Sequence, residues 1–392
     1  MRILFIHEVD YLKKFVFEMH EFPEYLAVKG HEIVFMDFPE DEGASILHFR
    51  LKDLEIRGRA LPEAKLRLLR LPRLLSSPFD RLALAFLFPI YLLHAIRRVK
   101  PEVVVLYGVP TNGWQTVLLC RLLRIPVIYR AIDVSHLIRD TSFKTLVKKA
   151  ERCVARNASV VLANSAAMAK HIDGLGANAA RVSVLFPGFL ESESPREFSS
   201  PETETKIILF MGTLFDFCGV EEMIAWIAEH GEDSKRAEIW VMGDGPARLR
   251  IVCKAREVGM ESNLRMLGVV PFEELYRRMK AATVAVLPFQ DIYVTNTALP
   301  GKVPQYIWAG LPVVSTHLAG LKSLLEEGVG VRYAAPGHDF VNCLDDLLKN
   351  SEYRSILVER GQEALRLRCD WPTIVRDLEE ILEASLIGNE SR

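Results

Sequence analysis

This chain lacks a long apolar run, a close cysteine pair and a charge bias. No stretch reaches the roughly 18 apolar residues of a membrane-spanning helix, and the longest run, Leu82 to Leu93, contains Pro89. The six cysteines, Cys120, Cys153, Cys218, Cys253, Cys343 and Cys369, include no pair at metal-ligand spacing and no C-x-x-C. They read as scattered reduced thiols, so a reducing cytoplasm is expected. The opening Met1-Arg2-Ile3-Leu4-Phe5-Ile6-His7-Glu8 is too short an apolar run for a signal-peptide core. With 49 Lys+Arg against 51 Asp+Glu, the formal charge is −2, which excludes a general nucleic-acid coater. No G-x-G-x-x-G follows the first apolar run, which argues against a dehydrogenase.

What is present is core-forming material. The chain has 392 residues, 49% hydrophobic and 26% charged, enough to bury more than one core. At about 150 residues per domain that means two to three domains. Continuous apolar runs at Ile3–Ile6, Ile33–Met36, Val103–Leu106, Val127–Tyr129, Val160–Leu162 and Val182–Leu185 suit strands buried on both faces of a parallel sheet. Helical stretches separate most of them. A polar, proline-bearing stretch from Leu190 to Glu204 reads as a linker. The alternation then restarts, with strands expected at Ile207–Phe210, Ile239–Met242, Arg265–Leu267, Val284–Leu287 and Pro312–Ser315. Strand–helix alternation of this kind gives an α/β fold with two tandem Rossmann-like domains. Ligands in such sheets bind beyond the carboxyl ends of the strands, and a cleft between the domains is the expected site.

Several turns carry chemistry. Gly212 follows a buried strand, where a missing side chain lets a phosphate approach the backbone. Pro300-Gly301-Lys302 opens a helix, offering unpaired N–H groups together with a full charge. Gly243-Asp244-Gly245-Pro246 reads as a strand-to-helix turn with Asp244 as a cap. Taken in order, Phe210-Met211-Gly212-Thr213-Leu214, Val241-Met242-Gly243-Asp244-Gly245-Pro246, Leu267-Gly268-Val269-Val270-Pro271, Val286-Leu287-Pro288-Phe289 and Pro300 to Ser315 resemble the donor-binding domain of GT-B glycosyltransferases of the retaining family-four group. The closing Asp370-Trp371-Pro372-Thr373-Ile374 is similar to the segment that starts that group's terminal helix. In the first half, Gly30-His31-Glu32-Ile33 and Val161-Leu162-Ala163-Asn164-Ser165 resemble it in outline.

The resemblance implies an acceptor-side domain at 1–189, a linker at 190–205, a nucleotide-sugar donor domain at 206–368, and a helix at 369–392 that packs back on the first domain. It implies sugar transfer from a nucleotide-sugar to a glycan or lipid-linked acceptor, with retention, and with no cofactor and no metal; no Asp-x-Asp or His cluster in the sequence suggests one. The implied donor contacts are Gly212, Thr213, Val269, Val270, Thr297, Ala298, Leu299, Lys302 and Gln305, with the loop at Val269 and Val270 reading the nucleobase through its backbone. Two acidic positions usual in the group are held here by Thr297 and Gln305, and two basic ones by Thr213 and Cys218, so Lys302 is the cation expected at the diphosphate. Asp133 and Lys302 are the implied catalytic residues. Asp133 would orient a hydroxyl and stabilise positive charge developing at the anomeric carbon. His7, Asp10 and His136 are the acceptor-side candidates. A catalytically degenerate nucleotide-sugar-binding relative and a nucleotide-sugar 2-epimerase remain open alternatives.

One segment stands outside that scheme. Between residues 62 and 100, Lys65, Arg67, Arg70, Arg73, Arg81, Arg97, Arg98 and Lys100 oppose only Glu63 and Asp80, with leucines interleaved. A basic amphipathic segment beside an apolar one reads as docking on an anionic membrane surface, on the cytoplasmic face.

Overall fold

The computed structural model describes residues 1–14, 16–39, 50–73, 79–137, 143–188 and 205–390. Residues 190–204 of the expected linker lie outside that set. The chain divides into two compact units: unit 1 is Met1–Pro187 with Pro372–Arg392, and unit 2 is Gly188–Trp371.

Unit 1 is built on one eight-stranded sheet. Its strands are β1 (Arg2–Ile6), β2 (Glu32–Asp37), β3 (Lys52–Arg57), β4 (Lys65–Arg70), β5 (Val103–Leu106), β6 (Val127–Ala131), β7 (Val160–Ala163) and β8 (Val182–Val184), in the order β3-β4-β2-β1-β5-β6-β7-β8. Every pairing is parallel except β3 with β4. The central strands are the apolar runs of the sequence, and helices cover them: α1 (Glu18–Val28), α2 (Phe79–Val99), α3 (Gly113–Leu122), α4 (Lys144–Asn157) and α5 (Ala166–Gly174). Ile3 to Ile6 and Val103 to Leu106 have almost no exposure, as a sheet covered on both faces requires.

The basic segment is divided rather than continuous. Leu66 and Leu68 alternate with Lys65 and Arg67, and this period of two makes Lys65–Arg70 a strand. Its last residue is spent inside the unit: Arg70 is 4% exposed, with Asp10 at 2.6 Å and Asp37 at 3.2 Å. Arg67 and Arg98 both pair with Asp53. The single amphipathic segment expected at 62–100 is therefore corrected to a strand followed by helix α2.

Unit 2 has six parallel strands: β9 (Ile207–Met211), β10 (Glu238–Met242), β11 (Leu264–Gly268), β12 (Val284–Leu287), β13 (Val313–Ser315) and β14 (Val331–Tyr333), in the order β11-β10-β9-β12-β13-β14. Its helices are α6 (Val220–His230), α7 (Arg248–Glu257), α8 (Phe272–Ala281), α9 (Tyr293–Thr297), α10 (Lys302–Trp308), α11 (Ala319–Lys322), α12 (His338–Lys349) and α13 (Ser351–Cys369). The last helix, α14 (Trp371–Glu390), buries Ile374, Val375, Leu378 and Leu382. Its Glu379 pairs with Lys29 and lies 2.8 Å from His31 Nε2, which ties the tail into unit 1.

In each sheet the winding reverses once, between β1 and β5 in unit 1 and between β9 and β12 in unit 2. At such a reversal the connections leave in opposite directions and open a crevice at the strands' carboxyl ends. These two places position the candidate sites.

The Arg70 cluster yields a stability prediction. Burial lifts the Asp37 carboxyl to about 7 despite the opposing effect of Arg70. Arg70→Met would remove the guanidinium that two buried carboxylates share, a loss expected to cost about 3–5 kcal/mol. The cost should be largest above that pH and smaller in acid, where a proton can replace the lost charge. Urea denaturation on either side of neutrality reads both signs.

Candidate functional site

In unit 2 the reversal point is occupied by a lysine. Lys302 begins α10, and its side chain runs back to the ends of β9 and β12. Its ammonium lies 4.7 Å from the ring centre of Phe210, the fourth residue of β9, and 4.9 Å from that of Phe289, two residues past β12. Among the described residues no carboxylate forms an ion pair with it. Burial pulls its pKa down to about 8, with a small opposing effect from Cys218. The ammonium fits because Gly212 has no side chain: a Cβ there would collide with Nζ. The backbone at Gly212 has φ +137°, which favours glycine as well. Gly243 faces the same turn with φ +134°, and a Cβ on it would strike the Gly212 carbonyl.

The remaining donor candidates fall around this point in different states. The Gly212 N–H donates to the Met242 carbonyl at 2.8 Å, so that amide extends the sheet instead of standing open to a phosphate. Thr213, the next residue, is exposed. Thr297 is 4% exposed and its hydroxyl donates to the Tyr293 carbonyl at 2.6 Å, a bond internal to α9. What Thr297 and Ala298 can offer a ligand is therefore mainly backbone. Leu299 is buried and Gln305 half-buried, with no hydrogen bond to the Gln305 side chain among the described residues. Val269 is 80% exposed just past β11, and Gly268 before it turns with φ +68°. Asp244 accepts the adjacent Gly245 N–H at 2.8 Å and does not cap α7, whose N-cap is Ala247, so the expected capping role is corrected to a bond within the turn.

In unit 1 the reversal point carries an aromatic pair. His7 follows β1 and Tyr107 follows β5; their rings stack at 5.2 Å and 10°. His7 Nδ1 accepts the Glu8 N–H at 2.8 Å, so the neutral ring carries its proton on Nε2. Glu8 turns to the start of α3, taking the Thr111 and Asn112 N–H groups at 2.5 and 3.2 Å. Asp10 has no exposure. Besides Arg70, its carboxylate takes the Leu12 and Lys13 N–H groups, so its contacts are those of a loop anchor.

Asp133 stands two residues past β6. It is half-buried, and among the described residues nothing hydrogen-bonds its carboxyl. Burial raises its pKa to about 6, helped by the charge of Glu18. Glu18 is itself clamped by Arg130 of β6 in two parallel bonds of 2.9 and 2.8 Å. Arg130 spends its third nitrogen on the Leu185 carbonyl at 2.6 Å. His136 is held by Glu151, Nδ1 to Oε2 2.6 Å, and His171 approaches the other carboxylate oxygen at 3.3 Å.

Four features of this arrangement escape the sequence. The Phe210–Phe289 clamp joins residues 79 apart, and its only signal is an apolar residue near the end of each strand. The Glu18–Arg130 pair and the His136–Glu151–His171 group have no signal, because neighbouring strands and helices bring them together. Tyr107 gives no hint in its own segment, since an aromatic after a valine run is ordinary core composition.

Comparison with known proteins places these geometries. The "Glycosyl transferases group 1" family model matches residues 205–350, and the "Glycosyl transferase 4-like domain" model matches residues 19–188. Among curated proteins, the D-inositol 3-phosphate glycosyltransferase of Corynebacterium efficiens is 25% identical over 283 residues, 64% of this chain and 63% of its own length. The sulfoquinovosyl transferase of Arabidopsis thaliana is 25% identical over 70% of this chain and 55% of its own. The match thus spans less than two thirds of either relative. Among solved structures, sucrose-phosphate synthase from Thermosynechococcus elongatus superposes with a TM-score of 0.79 at 15% identity, covering 98% of this chain and 99% of that one. Anabaena HepE, solved with UDP and glucose, gives 0.75 at 16% identity, covering 98% and 100%. These likenesses identify the fold as GT-B.

Proposed function

Because this chain belongs to the group 1 glycosyltransferases, with both of that family's domains in order, we propose that it transfers a sugar from a nucleotide-sugar to a hydroxyl acceptor with retention. The observation that carries this reading is Lys302, a half-buried lysine that forms no ion pair among the described residues, at the reversal point of the unit 2 sheet. A diphosphate supplies the missing charge. Charge builds on that diphosphate as the glycosidic bond breaks, so Lys302 stabilises the departing group more than the ground state. A protein cation, rather than a metal ion, meets the diphosphate. Exposed Val269 offers an apolar surface to a base, and Gln305 keeps a donor and an acceptor for a ribose diol. Since HepE was solved with UDP and glucose, UDP-glucose is the first donor to test.

On the acceptor side Asp133 is the reactive carboxylate. It is ionised at neutral pH, yet close enough to its pKa to take a proton from an acceptor hydroxyl. Burial and the Glu18 charge keep it there, and Arg130 holds Glu18 in place. The His7 ring stacks on Tyr107 at the neighbouring strand end.

The acceptor is proposed to lie on a membrane. No helix among the described residues is long and apolar enough to cross one, but three successive helices of unit 1 leave large apolar side chains in solvent. Phe86 and Ile90 on α2 are 77% and 66% exposed, Leu122 on α3 is 78%, and Phe143 and Leu146 at the start of α4 are each 62%. Trp114 and Leu118 continue the α3 row, and Arg97, Lys148 and Lys149 are exposed on the flanking helices. Apolar side chains mixed with cations suit the boundary of an anionic lipid bilayer. The surface is wider than the 62–100 segment and uses α3 and α4 as well as α2.

Two measurements follow. Transfer of labelled glucose from UDP-glucose into a membrane-glycan extract should show kcat/KM falling below about pH 6, as Asp133 gains a proton, and above about pH 8, as Lys302 loses one. Asp133→Asn should lower kcat by a factor of about 100 or more and flatten the acid limb. A bound donor that is neither transferred nor hydrolysed would point to a non-catalytic relative, and donor converted without acceptor to an epimerase. Separately, the protein should sediment with vesicles containing anionic lipid at low salt and release as the Debye length shrinks to about 8 Å at physiological ionic strength. The exposed-site pair Phe86→Ser and Leu122→Ser should lose vesicle binding without losing thermal stability. Equal binding to neutral vesicles would contradict the electrostatic part.

A further inference from the structure

Within unit 1, three side chains that no part of the proposed transfer uses as a set converge behind the loop carrying Asp133. His136 comes from that loop, Glu151 from α4 and His171 from α5. One ligand atom from each lies within 4.8 Å of the others. The Glu151 side chain has no exposure, and those of His136 and His171 are 10% and 5% exposed. The imidazole rings lie 6.0 Å apart and nearly parallel, at 24°. The Ser135 N–H adds a 3.2 Å bond to the carboxylate oxygen that faces His171.

The charge on this group is the point at issue. A carboxylate fully removed from water needs a cation or a proton. Elsewhere in the same unit Glu18 has Arg130, and Asp10 and Asp37 share Arg70, whereas Glu8 and Glu24 are met by several N–H and O–H donors. Among the described residues neither Lys nor Arg pairs with Glu151, and its neighbours are imidazoles. Two imidazoles with one carboxylate form a ligand set for a late first-row divalent metal such as Zn²⁺, with one position left open. Mg²⁺ and Ca²⁺ prefer oxygen-only sets and are not favoured.

We propose that His136, Glu151 and His171 bind a divalent transition metal of the Zn²⁺ class, which pins the Ile132–His136 loop and so positions Asp133. The ion lies in unit 1, whereas Lys302 and the diphosphate subsite belong to unit 2. It is thus a positioning ion and not the diphosphate's counter-ion. The binding claim stands on the three ligands alone, and its failure would leave the transfer reading intact.

The test is metal binding by the full chain, freed of metal by chelation. Titration with Co²⁺ at neutral pH should give the visible absorption of a low-symmetry, nitrogen-and-oxygen-ligated ion, saturating at one ion per chain and lost when Zn²⁺ is added. Zn²⁺ should also raise the melting temperature in proportion to the logarithm of its concentration. Glu151→Gln keeps the side chain's shape while removing its charge, and His171→Gln removes an imidazole; each should weaken Co²⁺ binding by about tenfold or more. Circular dichroism confirms that the variants fold, and if His171→Gln does not, Glu151→Gln decides. No stoichiometric uptake by the wild type would overturn the proposal in favour of a proton shared between the histidines. Uptake unchanged in Glu151→Gln would overturn it by placing the ion elsewhere.

Discussion

Lys302 holds its ammonium against two phenylalanine rings of unit 2, and among the described residues no acid pairs with it. The attraction of a cation for a ring face is worth about 2 kcal/mol when both are desolvated. Withdrawing an ammonium from water costs several kcal/mol. The rings therefore do not settle the balance, and the fall of the lysine's pKa to about 8 reflects a remaining deficit on the order of 3 kcal/mol. The surroundings are arranged around that deficit. Gly212 is glycine because a Cβ would occupy the space of the ammonium, and Gly243 is glycine because the two turns touch. An anion entering at the strand ends would recover the deficit, which is why the proposed diphosphate is placed there.

The same criterion separates the charges of unit 1. Arg130 with Glu18, and Arg70 with Asp10 and Asp37, are buried groups whose partners are fixed, and they shape the loops. Asp133 has Glu18 as a neighbour and no hydrogen-bond partner among the described residues, and burial pushes its carboxyl up to about 6. Buried charges with partners hold the scaffold here, and the proposed ligand contacts fall on Lys302 and Asp133, for which no ion pair is found among the described residues. The two reversal points of the sheets put Lys302 and the His7–Tyr107 stack at equivalent places in the two units.

Much of this scaffold is legible in the sequence because a parallel sheet covered on both faces demands unbroken apolar runs. Ile3–Ile6, Val103–Leu106 and Ile207–Phe210 could hardly be anything else. The strands that escape notice are those that break this rule. Lys52–Arg57 is the edge strand and Lys65–Arg70 the strand beside it, where some positions stay exposed and basic residues are tolerated, so Lys65–Arg70 passes for part of a basic amphipathic segment. Lys302 and the glycine turns are visible because each depends on local backbone geometry, and local geometry leaves a local trace. Glu18 and Arg130 are 112 residues apart, and only strand order brings them together. The roles of Asp10 and Gly212 show the complementary failure: the residue types suit a ligand, but Arg70 and the Met242 carbonyl already occupy their polar groups.

The lone ammonium is tested most directly by calorimetry of wild type and Lys302→Met with UDP and with uridine, below and above pH 8. In the wild type, UDP should bind more weakly as pH rises through 8 and should draw a proton from the buffer there, whereas uridine binding should be indifferent to pH. Replacing Lys302 should cost UDP about tenfold to a hundredfold in affinity, the loss of one charge-assisted hydrogen bond, and leave uridine nearly unchanged. Equal losses for the two ligands, or UDP binding that ignores both the pH and the lysine, would contradict the view that this cation waits for a diphosphate.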